Sequence, residues 1–151
     1  MGQKGEQAKC LFEQGYNCAQ SVVGAFAEDL GLEFDLAVRL VTGFGGGMGR
    51  LREVCGAVSG MIFAADIRYG INAPGNLELK KENYQMVQEL AHRFEERQGS
   101  IICRELLGLS CKRESPEPEA RTPQYYKKRP CGELIRFAAD TLDEYLKSRE
   151  L

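Results

Sequence analysis

Apolar residues recur at helical spacing along almost the whole of this chain, and that regularity restricts it to a fold built from helices. Val54, Ala57, Val58, Met61, Ile62 and Ala65 fall at the i, i+3, i+4, i+7 intervals that share one helical face. Leu134, Ile135, Ala138, Leu142, Tyr145 and Leu146 repeat the pattern near the C-terminus. No segment alternates convincingly as a half-buried strand would. The spacing predicts a first helix from about residue 6 or 17 to 30, stopped by Gly31, and a short second one over 34–42. A third covers 53–69 and halts at Gly70, a fourth covers 76–98 with Tyr84, Val87, Ala91 and Phe94 on one side, and a short turn lies in "IICRELLG". With the C-terminal helix, the expectation is an all-α, single-domain bundle of five or six helices spanning residues 1–151, a length that suits one core.

Two connections interrupt the helical pattern. "GFGGGMGR", residues 43–50, packs five glycines into eight positions. It does not close a dinucleotide fingerprint, because the third glycine position falls on Met48 or Arg50, and it lacks the Gly-Lys-Ser/Thr ending of a P-loop. Glycine instead supplies positive φ and close backbone approach, so Gly45, Gly46 and Gly47 are expected to press on the next helix start and shape the pocket of Cys55. A bare helix-to-helix connection is the alternative. The second interruption is "KRESPEPEARTPQYYKKRP", residues 112–130, which holds four of the five prolines and no apolar periodicity. It reads as a mobile loop or a surface-hugging connector before the last helix.

Charge narrows the partners: 20 Lys and Arg against 22 Asp and Glu give a net charge of -2, with no basic footprint for nucleic acid or an anionic membrane. "MGQKGEQAKC" lacks the apolar run of a signal peptide, and no stretch approaches the roughly 20 apolar residues of a membrane span. The expected compartment is the cytoplasm, where thiols stay reduced and six cysteines signify catalysis, sensing or metal binding more often than disulfide staples.

Four of the cysteines fall at predicted helix starts. Cys18 follows Asn17, with Gln20 completing a capping-box pattern; Cys55 opens its helix after Arg50 and Arg52; Cys103 lies three residues past the candidate cap Ser100; Cys131 follows Pro130. Unpaired amides and the helix dipole favour the thiolate there, and Lys127, Lys128 and Arg129 are expected to add to the effect at Cys131. The competing expectation is core packing, since Leu106, Leu107, Leu134 and Ile135 place Cys103 and Cys131 on apolar faces. Cys10 and Cys111 lack a helix-start context and are assigned packing or no role. No Cys-x-x-Cys pair marks a metal site, and His92, the single histidine, lies mid-helix and is a weak candidate for a base.

"GFGGGMGRLREVCGAVSG", together with Cys18, "CRELLG" and "PCGELI", resembles the C_GCAxxG_C_C family of small bacterial and archaeal redox-active proteins, over about residues 15–139. The central motif reads Cys55, Gly56, Ala57, Val58, Ser59, Gly60, and the four family cysteines map onto Cys18, Cys55, Cys103 and Cys131. Some relatives carry selenocysteine, which implies redox or nucleophilic chemistry, and the resemblance also implies an association with a transporter system. Arg52 departs from the less charged stretch of relatives. The resulting expectation is a thiol-disulfide protein, with Cys55 attacking, Cys131 resolving, and Cys18 and Cys103 as a second pair or as tuning groups. Its partner would be a redox protein or a small thiol. No cofactor is predicted; the alternatives are zinc or an iron-sulfur cluster held by the same four cysteines, or a structural adaptor with buried thiols.

Overall fold

The structure, a computed structural model, describes residues 2–110 and 113–150. Cys111 and Lys112, the latter opening the proline-rich segment, lie outside the described residues. Among the described residues nine α-helices follow one another: α1 (Gln3–Glu13), α2 (Cys18–Phe26), α3 (Phe34–Leu40), α4 (Gly45–Met48), α5 (Gly56–Tyr69), α6 (Leu77–Gln98), α7 (Cys103–Leu106), α8 (Pro123–Lys128) and α9 (Cys131–Arg149). Among the described residues the one strand-like pairing is an isolated antiparallel bridge between Val54 and Ile102, so the chain is all-α as its periodicity requires. The helix count exceeds five or six for local reasons. Gly15, at φ 109°, breaks the expected first helix into α1 and α2, while α4, α7 and α8 are too short to show a period.

Apolar spacing decides the packing. α5 lies against α2, α6 and α9, and α1 covers α2 and α9. Their inward faces bury Phe26, Met61, Leu90, Phe94, Ile135 and Leu142, each worth about 1.5–3 kcal/mol of burial. Small residues on α5 let α2 approach closely: a Cβ at Gly60 would stand 2.8 Å from the Ala19 carbonyl oxygen and 3.1 Å from its Cα. That crossing sets the starts of α2 and α5 side by side.

Helix ends are satisfied locally and at long range. Asn17 caps α2 by accepting from the Gln20 amide, while the Gln20 side chain accepts from the Asn17 amide, both at 3.0 Å. α1 has no cap of its own, and Asp140 of α9 supplies one by accepting from the amides of Gly2 (3.1 Å) and Gly5 (2.8 Å).

The proline-rich segment contains α8, unanticipated from the sequence, which Thr122 caps and Pro123 opens. Arg121 donates to the carbonyls of Phe12 (3.0 Å) and Tyr16 (3.1 Å), the exposed end of α1, and stacks over the rings of Phe12 and Tyr125. Glu114 pairs with Arg50 and Arg52, and Glu119 with Arg129. These contacts lay the segment across the glycine turn. No helix of the described residues is long and apolar enough to cross a membrane.

Candidate functional site

Cys18, Cys103 and Cys131 are each the first residue of a helix, and Cys55 is the N-cap of α5. Four chain segments far apart in sequence bring these starts to one cavity of about 400 Å³, which all four cysteines line.

Each start is fixed by its own contacts. The Cys55 amide donates to the Ile101 carbonyl at 2.7 Å and the Cys103 amide to the Glu53 carbonyl at 2.6 Å, which staples α5 to α7. Ile102 is the N-cap of α7, and Ser100, two residues earlier, accepts from the Ile102 amide and donates to Glu105. Asn17 Nδ2 donates to the Thr42 carbonyl at 2.9 Å and holds the Cys18 start against the turn before α4. A Cβ at Gly56 would lie 3.0 Å from Cys18 Cβ and 2.8 Å from the Phe44 carbonyl oxygen, so the motif glycine sets how near α5 comes to Cys18. Ala57, beside it, is fully buried in the core.

The glycine run is a left-handed turn. Gly46, Gly47, Met48, Gly49 and Arg50 have φ between 58° and 74°, a region costing about 1–2 kcal/mol for each residue that carries a Cβ. At Gly47 no side chain fits at all: a Cβ would stand 2.7 Å from Cys103 Cβ and 2.8 Å from both Arg52 Cα and the Glu53 nitrogen. The turn therefore presses on Cys103 and the strand of chain leading to Cys55, and Gly45 and Gly46 line the cavity directly. Its contribution to chemistry lies at Cys18, whose sulfur receives the Gly46 amide.

Helix starts were expected to depress all four thiols, and only one is depressed. Cys18 is lowered to about 7: the Cys131 thiol donates toward its sulfur, the Gly46 and Cys18 amides donate too, Arg121 adds positive charge, and burial opposes them. Cys55, 5% exposed, is pushed up to about 12 by burial and by the neighbouring Cys18 charge, against the Ala57 and Val58 amides. Cys131 is raised, first because its proton is engaged by Cys18 and then by burial. Cys103 is raised by burial although Arg52 Nη1 donates to its sulfur at 3.5 Å. Burial overcomes the dipole at Cys55 and, even against a guanidinium donor, at Cys103.

The flanking arginines divide by position. Arg52, nearly buried, forks onto Glu114 with Nε at 2.6 Å and Nη2 at 2.5 Å, and so acts at Cys103 and not at Cys55. Arg129 lines the cavity, whereas Lys127 and Lys128 are exposed and do not. Arg121 and Tyr125, also in the wall, escaped the sequence reading because no local pattern marks them. His92 lies on α6 away from the cavity and pairs with Glu96 at 3.8 Å. Cys10 is exposed on α1, accepts from Gln14, and does not join the core. Among the described residues no three Cys, His, Asp or Glu side chains are placed to hold one metal ion.

No curated protein and no solved structure matches the chain. A family model described as "Putative redox-active protein (C_GCAxxG_C_C)" matches residues 16–145, which takes in all four helix starts and the glycine turn. The chain therefore belongs to the C_GCAxxG_C_C family.

Proposed function

We propose that this protein is a thiol-disulfide redox protein in which Cys18 attacks and Cys131 resolves. The reading rests on the placement of these two thiols at the starts of α2 and α9 on the wall of one cavity, where the hydrogen bond between them favours the thiolate at Cys18 and the thiol at Cys131. A thiolate near 7 is close to the optimum for disulfide exchange at neutral pH, being populated and still nucleophilic. The attacking role, which the sequence suggested for Cys55, moves to Cys18 because Cys55 is buried and strongly disfavoured as an anion. Cys55 and Cys103 then act as neighbours whose neutral thiols keep further negative charge away from Cys18.

Intact-mass spectra of anaerobically purified protein, before and after a mild oxidant, test the reading. Oxidation should remove two hydrogen atoms reversibly, and peptide mapping should join Cys18 to Cys131. Cys18→Ser and Cys131→Ser should each abolish that product while Cys55→Ser keeps it. A disulfide that persists in Cys18→Ser, or one mapped to Cys55, would sink the assignment.

A further inference from the structure

The same cavity carries more positive charge than the chain around it. Arg50, Arg52, Arg121 and Arg129 line it, and among the described residues Glu119 is the only carboxylate in its wall. Glu114, just behind, pairs with Arg50 and Arg52, and Glu119 pairs with Arg129 and stands 4.0 Å from Arg50. Arg121 differs from these three: its guanidinium meets the carbonyls of Phe12 and Tyr16 and the Tyr126 hydroxyl, and no carboxylate of the described residues pairs with it. Four arginines against two carboxylates leave a cationic site in a chain whose net charge is -2. Local charge of this kind draws anions in and favours their orientation.

Size and wall chemistry restrict the ligand further. A volume of about 400 Å³ lies at the lower end of small-molecule sites. Cys55, Cys103 and Cys131 are each 8% exposed or less and Cys18 is half-buried, and all four line the cavity, so a reactant meets the thiols there. Leu106, Leu107 and Leu134 supply an apolar side for a short carbon skeleton.

Resting on the redox reading above, we infer that the substrate is a small anionic disulfide, selected by the arginines of the cavity wall. The Cys18 thiolate attacks one substrate sulfur, the S–S bond breaks, and one anionic thiolate leaves as the mixed disulfide forms. Cys131 passes its proton to that leaving thiolate, and its sulfur attacks Cys18 Sγ and expels the second thiolate. Two electrons move from the cysteine pair to the substrate, which ends as one thiol and one thiolate beside a Cys18–Cys131 disulfide. An anionic reactant would otherwise be repelled by the attacking thiolate. The arginines offset that repulsion, and Glu119 moderates it.

Three symmetric disulfides of similar size test this: dithiodipropionate (anionic), hydroxyethyl disulfide (neutral) and cystamine (cationic). Their rates of oxidising the reduced full-length protein at pH 7 are divided by their rates with a free small thiol. The normalised anionic rate should exceed the cationic one by at least about 10-fold, and 1 M salt should largely erase the gap. Arg129→Gln should lower the anionic-to-neutral ratio and Glu119→Gln should raise it; the wild-type salt dependence stands if either variant fails to fold. Equal normalised rates, a cationic preference, or a gap unmoved by salt would overturn the inference while leaving the redox reading intact, provided the neutral disulfide still joins Cys18 to Cys131. Failure of all three disulfides to oxidise that pair would overturn both.

Discussion

The starts of α2 and α5 make an instructive pair. Each presents a cysteine to the same cavity at a helix N-terminus, and the two are close enough that Gly56 is needed between them. One thiol is lowered to about 7 and the other raised to about 12. The helix dipole is common to both, so it cannot be the deciding influence. Cys18 has a thiol, two amides and a guanidinium acting on its sulfur, whereas Cys55 has two amides of its own helix, a buried side chain where that of Cys18 is half-buried, and the repulsion of Cys18. Donors brought from other segments decide which sulfur is the anion.

The largest expected effect is kinetic. At pH 7 Cys18 is substantially ionised while Cys55 is held as the thiol, and the greater intrinsic reactivity of a more basic thiolate returns only about half of that advantage. Iodoacetamide labelling followed by peptide mapping should therefore modify Cys18 faster than Cys55 by at least about 10-fold. Labelling of Cys18 should climb as pH rises through about 7, while that of Cys55 keeps climbing toward about 12. Equal labelling would erase the distinction between the two starts.

Cys131→Ala should have the next largest effect. A hydrogen bond to a charged group is worth about 1.5–3 kcal/mol, so losing this donor should move the Cys18 labelling midpoint up by about 1–2 pH units. Gly56→Ala acts on both starts at once, because its Cβ meets the Phe44 carbonyl and Cys18 Cβ. It should cost about 1–3 kcal/mol in urea unfolding and shift Cys18 labelling as well. An unchanged unfolding midpoint would show that the two starts are not held by that contact. Arg121→Gln should have the smallest effect, raising the Cys18 midpoint by an amount worth less than about 1 kcal/mol. A fall in the midpoint would reverse the sign assigned to this charge.

Stability should carry the same contrast with opposite signs. Cys18, held below its ordinary value of 9.0, adds stability above that value and loses it as pH falls through about 7. Cys55, held above the same value, adds stability below it and loses that contribution as pH rises toward about 12. Comparing Cys18→Ser and Cys55→Ser unfolding curves between pH 6 and 9 should give slopes that depart from the parent in the Cys18 variant alone.

Much of this arrangement is legible in the sequence, and the illegible part has a physical reason. Helical periodicity locates α5, α6 and α9, and the Asn17, Gln20 pattern gives the α2 cap with both of its hydrogen bonds. The placement of four cysteines at helix starts follows from caps, prolines and glycines within a few residues of each. Their ionisation does not, because it depends on partners such as Arg121, which is 103 positions from Cys18 and lies in a stretch without periodicity. Arg52 shows the same limit: three residues before Cys55 in sequence, it donates to Cys103. The left-handed turn was half visible. Its glycines announce positive φ, but Met48 and Arg50 adopt it too, held by a surrounding structure that short-range propensity does not encode.

The carboxylate of Asp140 that caps α1 has a consequence for how the molecule is made. During synthesis α1 emerges before α9, yet the group that satisfies its leading amides is synthesised 135 residues after Gly5. Until then α1 lacks its long-range cap, and Cys18 lacks Cys131, which belongs to the same late helix. Completion of the fold and arrival of the partner thiol are thus tied to one event, the docking of α9. A ribosome-bound fragment ending before Cys131 would carry Cys18 without its acid, and its reactivity would report whether the final helix has arrived.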